Sequence, residues 1–200
     1  ELRSNVNNIT IKNALINLSG SASTPGTTVR GISVEPASTY VENITVQNSE
    51  IVGGYYGLYL YGPTGLESPN LQIRNNTIRD FYAYGVYTQN IKNSFISGNS
   101  IARPNITLVT TFFGVYMSTG VMSTTVEKNR IYSAASATVT AAAYGVYATG
   151  ADAPVGQANT IMNNLIYNLN TTGIVYAIFN SSIDGFHLYQ HTIQLGDPSS

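Results

Sequence analysis

The sequence has no cysteine. There is therefore no disulfide frame and no thiolate chemistry. Charge is also scarce. Asp, Glu, Lys and Arg together make up 10% of the 200 residues, where about a quarter is usual. The net charge is −1 and no basic run occurs, so a nucleic-acid partner, which needs clustered Lys and Arg, is not expected. No apolar stretch approaches the length of a membrane span, and no membrane insertion is expected. No signal peptide is present and the chain begins at Glu1 without Met, which reads as a mature or excised piece.

Apolar residues, at 43%, are ordinary in number. Asn, Thr, Ser, Gly and Tyr fill the space that charge leaves. Disorder wants high charge and few aromatics, so this is not a disordered composition. These residues are poor in helix interiors, while Thr, Tyr, Val and Ile favour strands. Scarce lysine with abundant Thr, Asn and Tyr suggests a secreted or cell-surface protein, bacterial in character.

Two signatures recur. One is a pair of aliphatics five residues apart: Ile11/Ile16, Val46/Ile51, Ile73/Ile78, Ile96/Ile101, Val126/Ile131, Ile161/Ile166 and Leu188/Ile193. An apolar residue often stands two before the first member, as at Ile9, Ile44, Leu71 and Phe186, which is a strand signal of period two. The other signature is a glycine, an aliphatic and a third residue: Gly31-Ile32-Ser33, Gly57-Leu58-Tyr59, Gly85-Val86-Tyr87, Gly114-Val115-Tyr116, Gly145-Val146-Tyr147 and Gly173-Ile174-Val175. One glycine unit falls between each two aliphatic pairs. The spacers vary, mostly by insertions such as 102–113 and 132–144, while the signatures hold.

No single repeat can bury its apolar side chains. Stacked repeats can, with each strand hydrogen-bonded to its equivalents one coil away. The asparagines between the aliphatics fit a tight turn. Asn13, Asn48, Asn75 and Asn163 stand two after the first aliphatic, and Asn76, Asn99, Asn129 and Asn164 stand three after it. Asparagine tolerates left-handed backbone, and stacked amides can bond from coil to coil. His191 takes the place of a ladder asparagine, and with His187 on strand and turn no metal pair is expected.

The Gly-Val-Tyr strand followed by an Ile-x-Asn-Asn-x-Ile turn resembles the repeats of right-handed parallel β-helix proteins of the pectin-lyase-like superfamily, over essentially the whole chain. The expected fold is all-β: a right-handed single-stranded parallel β-helix of about six to seven coils with three parallel sheets. The chain is read as one β-helix segment, 1–200, of a larger protein, with a neighbouring domain or chain covering the solenoid ends. The resemblance implies that the glycine strand belongs to the first sheet and that the asparagine turn joins the second to the third. It also implies that enzymes of the family place catalytic groups on the outer face of the first sheet.

In strict alternation Ile32, Leu58, Val86, Val115, Val146 and Ile174 point inward, with the glycines outward beside Ser33, Tyr59, Tyr87, Tyr116, Tyr147 and Val175. Tyr56, Tyr84, Phe113 and Tyr144 then point inward as core, and Tyr132 and Tyr167 point outward on another face. Tyr59, Tyr87, Tyr116 and Tyr147 are the candidate ligand-binding residues, an aromatic platform for a polysaccharide chain. Equally, they stack on each other and only stiffen the sheet. Glu35 is the one acid on this face, with Arg30 beside it. No hydrolase or lyase motif is present, so no catalytic residue, metal ligand or cofactor site is assigned. The expected role is non-catalytic polysaccharide binding or adhesion. A polysaccharide lyase, hydrolase or epimerase is the alternative, its site outside this segment or in loops that bring acids such as Glu67 and Asp80 together. A passive stalk is the third.

Overall fold

A computed structural model describes residues 1–3, 5–20, 26–36, 38–106, 110–134, 140–181 and 183–195. The middles of the two long insertions, 107–109 and 135–139, lie outside the described residues. So do the last five, among those expected to close the final edge.

Every strand pairing is parallel and joins one coil to the next. There are two sheets of seven strands and one of six. Six to seven coils and three sheets are therefore what the chain forms. A fourth, two-stranded sheet pairs Ser68–Pro69 with Ile91–Lys92. One strand comes from the residues that follow Tyr61, the other from those that follow Gln89, its partner one coil on.

The aliphatic pairs stand in register. Ile11 pairs with Val46, then Ile73, Ile96, Val126, Ile161 and Leu188 follow in one line. Ile16, Ile51, Ile78, Ile101, Ile131, Ile166 and Ile193 form a second line in the third sheet. The inner members of both lines are sealed from water. Each stabilises the fold by about 1.5–3 kcal/mol on apolar burial.

The two asparagine positions do separate work. Asn13, Asn48, Asn75 and Asn163 all have φ between 51° and 55°, a left-handed bend that other L-residues reach only at about 1–2 kcal/mol. Gly98, Lys128 and Gln190 take the same bend in the remaining coils. The next position faces inward. Asn76, Asn99, Asn129 and Asn164 are buried and form a continuous amide ladder, each Oδ1 accepting from the coil before it. Each Nδ2 in turn donates to the carbonyl of Val46, Ile73, Ile96 or Val126. The ladder satisfies turn N–H groups that no strand can reach.

The glycines Gly31, Gly57, Gly85, Gly114 and Gly145 stack in one line, but they face inward. A Cβ on Gly57, Gly85 or Gly114 would lie 2.5 Å from Cγ2 of Ile78, Ile101 or Ile131. It would also lie 2.5–2.7 Å from the carbonyl oxygen of the next glycine in the line. None of these glycines has a positive φ. They are glycine because a neighbouring backbone and an isoleucine occupy the space, not because the turn demands it. The expectation that they face outward is corrected.

The sixth glycine unit is corrected as well. Val146 pairs with Ile178 and Tyr147 with Phe179, so Tyr176-Ala177-Ile178-Phe179 holds the register. Ile174 is 59% exposed, and Val175 lies opposite Ala143. Alanine is tolerated at 177 because the strand Val175–Ser181 ends its sheet. Among the described residues no further strand presents a carbonyl to its methyl group.

Candidate functional site: an aromatic face on the first sheet

Four of the six first-sheet strands break alternation at their glycine. Gly57 and Leu58 are both buried, and Tyr56 and Tyr59 are both left on the outside, half-buried. The same slip recurs at Tyr84–Gln89, Phe112–Met117 and Ala143–Thr149. Tyr56, Tyr84, Phe113 and Tyr144 are therefore surface residues, not core. Strict period two placed them wrongly because a strand can bury two consecutive positions when one has no side chain.

Two aromatic columns result. In the first, Tyr56, Tyr84, Phe113, Tyr144 and Tyr176 lie with ring centroids 4.9, 4.8, 5.2 and 5.7 Å apart and planes within 15°. In the second, Tyr59, Tyr87, Tyr116, Tyr147 and Phe179 lie 5.0, 5.3, 5.0 and 5.0 Å apart with planes within 17°. Between columns the rings meet edge to face, at 88° for Tyr84 with Tyr87 and 90° for Phe113 with Tyr116. Strands about 4.8 Å apart hold carbons further than the roughly 3.5–4.0 Å of good contact. The rings close the gap by sliding into an offset stack, which suits their quadrupoles. Part of each face is covered by its neighbour, and solvent meets mainly rims.

The four tyrosines singled out from the sequence are thus together, outward and in line. The sequence reading missed the parallel column and the continuation to Phe179. The signal was present: an aromatic precedes each of these glycines, and Tyr176-Ala177-Ile178-Phe179 repeats the same order.

At the first-coil end Arg30 closes both columns. Its guanidinium lies 3.9 Å from the Tyr59 ring centroid and 5.9 Å from that of Tyr56, a cation–π arrangement. Arg30 is also ion-paired with Glu35 and donates to Ser33. Beside it lies a cavity of about 400 Å³ lined by Glu1, Arg3, Thr28, Arg30, Gly31, Ser33 and Glu35.

Burial raises the Tyr56 hydroxyl pKa to about 12 and raises those of Tyr59, Tyr84, Tyr87, Tyr116 and Tyr144. The phenols stay neutral wherever the protein is folded at ordinary pH. Tyr87 donates to Gln89 Oε1 at 2.6 Å.

Elsewhere acids are held by neighbouring bases and amides. Glu50 and Asp80 both bind Arg79, Asp80 also accepts from Asn105, and Glu67 and Glu127 pair with Lys92 and Lys128. Among the described residues no three of His, Cys, Asp and Glu gather in one place. Tyr132 and Tyr167 stack at 4.9 Å on the third sheet, outward as expected.

A model described as right handed beta helix region matches residues 2–191. The chain belongs to the right-handed β-helix family. Nothing among the curated proteins or the solved structures matches it. In this β-helix, membership fixes handedness and fold and leaves the role of the aromatic face to its own chemistry.

Proposed function

We propose that this β-helix is a non-catalytic polysaccharide-binding module of the cell surface or the extracellular space. The glycan lies on the first-sheet face. One observation carries the reading: two aromatic columns run side by side across five coils with their rims outward. Aromatic rims and partly covered faces meet the C–H surfaces of sugars. The hydroxyls of Tyr, Ser and Thr and the amide of Gln89 can bond sugar hydroxyls. The scarce-lysine composition supports the extracellular placement. Leu188 and Ile193, 50% and 47% exposed at the last coil, support a neighbouring domain or chain on that end.

Affinity electrophoresis through gels containing plant or bacterial polysaccharides tests this. The wild type is retarded, and Tyr87→Ala/Tyr116→Ala, checked by circular dichroism for an intact fold, is not. Equal migration of both proteins in every gel would sink the reading.

The mutual covering of the rings favours a second reading, a stalk stiffened by its aromatic columns. Each stacked pair contributes about 0.5–1.5 kcal/mol beyond burial. On that reading the double variant melts lower and nothing else changes.

A further inference from the structure

We infer that the polymer held by the aromatic face is an uncharged, extended glycan and not a uronate chain. This rests on the binding reading above and names the ligand class that the face admits.

The five strands that carry the columns, Tyr56–Tyr61, Tyr84–Gln89, Phe112–Met117, Ala143–Thr149 and Val175–Ser181, contain no Asp, Glu, Lys, Arg or His. Beside the columns the outward positions continue as Tyr61, Gln89, Thr149 and Ser181, all neutral. Burial also holds the phenols of Tyr56, Tyr59, Tyr84, Tyr87, Tyr116 and Tyr144 protonated. A uronate carboxylate laid on this surface would lose hydration with no guanidinium or ammonium to replace it. Sugar hydroxyls ask for less: each both donates and accepts, as do the tyrosine, serine and threonine hydroxyls they would meet.

The charged region at the first-coil end of the columns does not alter this. Arg30 is engaged by Glu35 and by the ring of Tyr59, and Arg3 is engaged by Glu1 at 3.0 Å. The cavity they line holds acids and bases in equal number. It can take a neutral end of a chain with its paired hydroxyls, but it offers an anion no unmatched cation.

The spacing selects the chain shape. Rings repeat every 4.8–5.7 Å along the columns. An extended β-linked pyranose chain advances by a similar distance per sugar, so consecutive sugars meet equivalent rings on consecutive coils. A coiled α-linked glucan loses this register after one or two sugars.

The test runs the protein through native gels containing hydroxyethylcellulose or xylan, polygalacturonate, or soluble starch, each with and without added salt. The neutral β-linked polymers should retard it, with no effect of salt. Binding to polygalacturonate should be weaker by roughly tenfold or more, each tenfold being about 1.4 kcal/mol. Salt-sensitive retardation by polygalacturonate alone would overturn the ligand class while leaving polysaccharide binding in place. Starch as effective as hydroxyethylcellulose would overturn the extended geometry. Retardation by none of the polymers would overturn the binding reading, and this inference with it.

Discussion

The side chain of Asn99 serves Asn76, 23 residues earlier and one coil away. Its Oδ1 accepts from the Asn76 backbone N–H at 2.9 Å and from Asn76 Nδ2 at 3.0 Å. Its own Nδ2 donates to the Ile73 carbonyl and to Asn129 Oδ1. One buried amide thus satisfies groups in the coils on both sides of it.

Asn99→Ala should be costly for that reason. It leaves the Asn76 N–H buried without a partner, at about 1–3 kcal/mol, and removes the amide's bonds to Asn76 Nδ2, the Ile73 carbonyl and Asn129 Oδ1. Thermal or urea unfolding should show a loss of several kcal/mol. Asn75→Ala, at the exposed left-handed position with φ 55°, should cost only about 1–2 kcal/mol. Equal losses at the two sites would contradict the division of labour between them.

Gly114→Ala and Ala177→Gly form a matched pair. A Cβ at 114 would sit 2.5 Å from both the Gly145 carbonyl oxygen and Ile131 Cγ2. Backbone cannot yield as a flexible side chain does, and overpacking of this kind costs about 1–3 kcal/mol or more. Ala177 lies on the edge strand of its sheet, so its replacement should change stability by under about 1 kcal/mol. Comparable melting shifts would show that the glycine line is not set by the coil above it.

Arg103 is 2% exposed, and among the described residues no acid pairs with it. It donates to the carbonyls of Ala134, Tyr82 and Thr110 at 2.7, 2.6 and 3.2 Å and lies 4.9 Å from the Phe112 ring centroid. Burial lowers its pKa to about 9, so it is still charged at neutral pH. Arg103→Met should destabilise by roughly 2–5 kcal/mol, because three carbonyls lose their donor. Unchanged unfolding would mean that those carbonyls find other donors.

His191 closes the amide ladder without continuing it. Both ring nitrogens are shut away from solvent without a well-formed hydrogen bond. Burial lowers its pKa, outweighing the nearby backbone of Ile161 and Asn164, which favours the charged ring. The neutral form is therefore the one that folds. As pH falls through about 6.5, the unfolded chain takes up the proton first, and this contribution is lost until the lowered folded value is passed. Melting temperature should drop from pH 7 to pH 5 in the wild type. His191→Asn, which restores the ladder residue, should flatten that drop. A drop of the same size in the variant would assign it to other groups.

Much of this protein was decided by local sequence. The aliphatic pairs are five apart because an asparagine bend of fixed length separates two inward positions. The pairs therefore predicted their own register, from Ile11 through Leu188. Asparagine at two successive positions likewise announced a bend and a ladder, since no loop composition returns in phase by chance. Tertiary structure alone decided the direction of the glycines and of the aromatics before them. Alternation assumes that each residue occupies one face. At Gly57, Gly85, Gly114 and Gly145 the neighbouring coil's carbonyl and the facing isoleucine fill the space a Cβ would need, and the strand slips by one. That slip lies between coils, beyond the reach of any pattern read within one. It turned Tyr56, Tyr84, Phe113 and Tyr144 outward and made a single expected column into two.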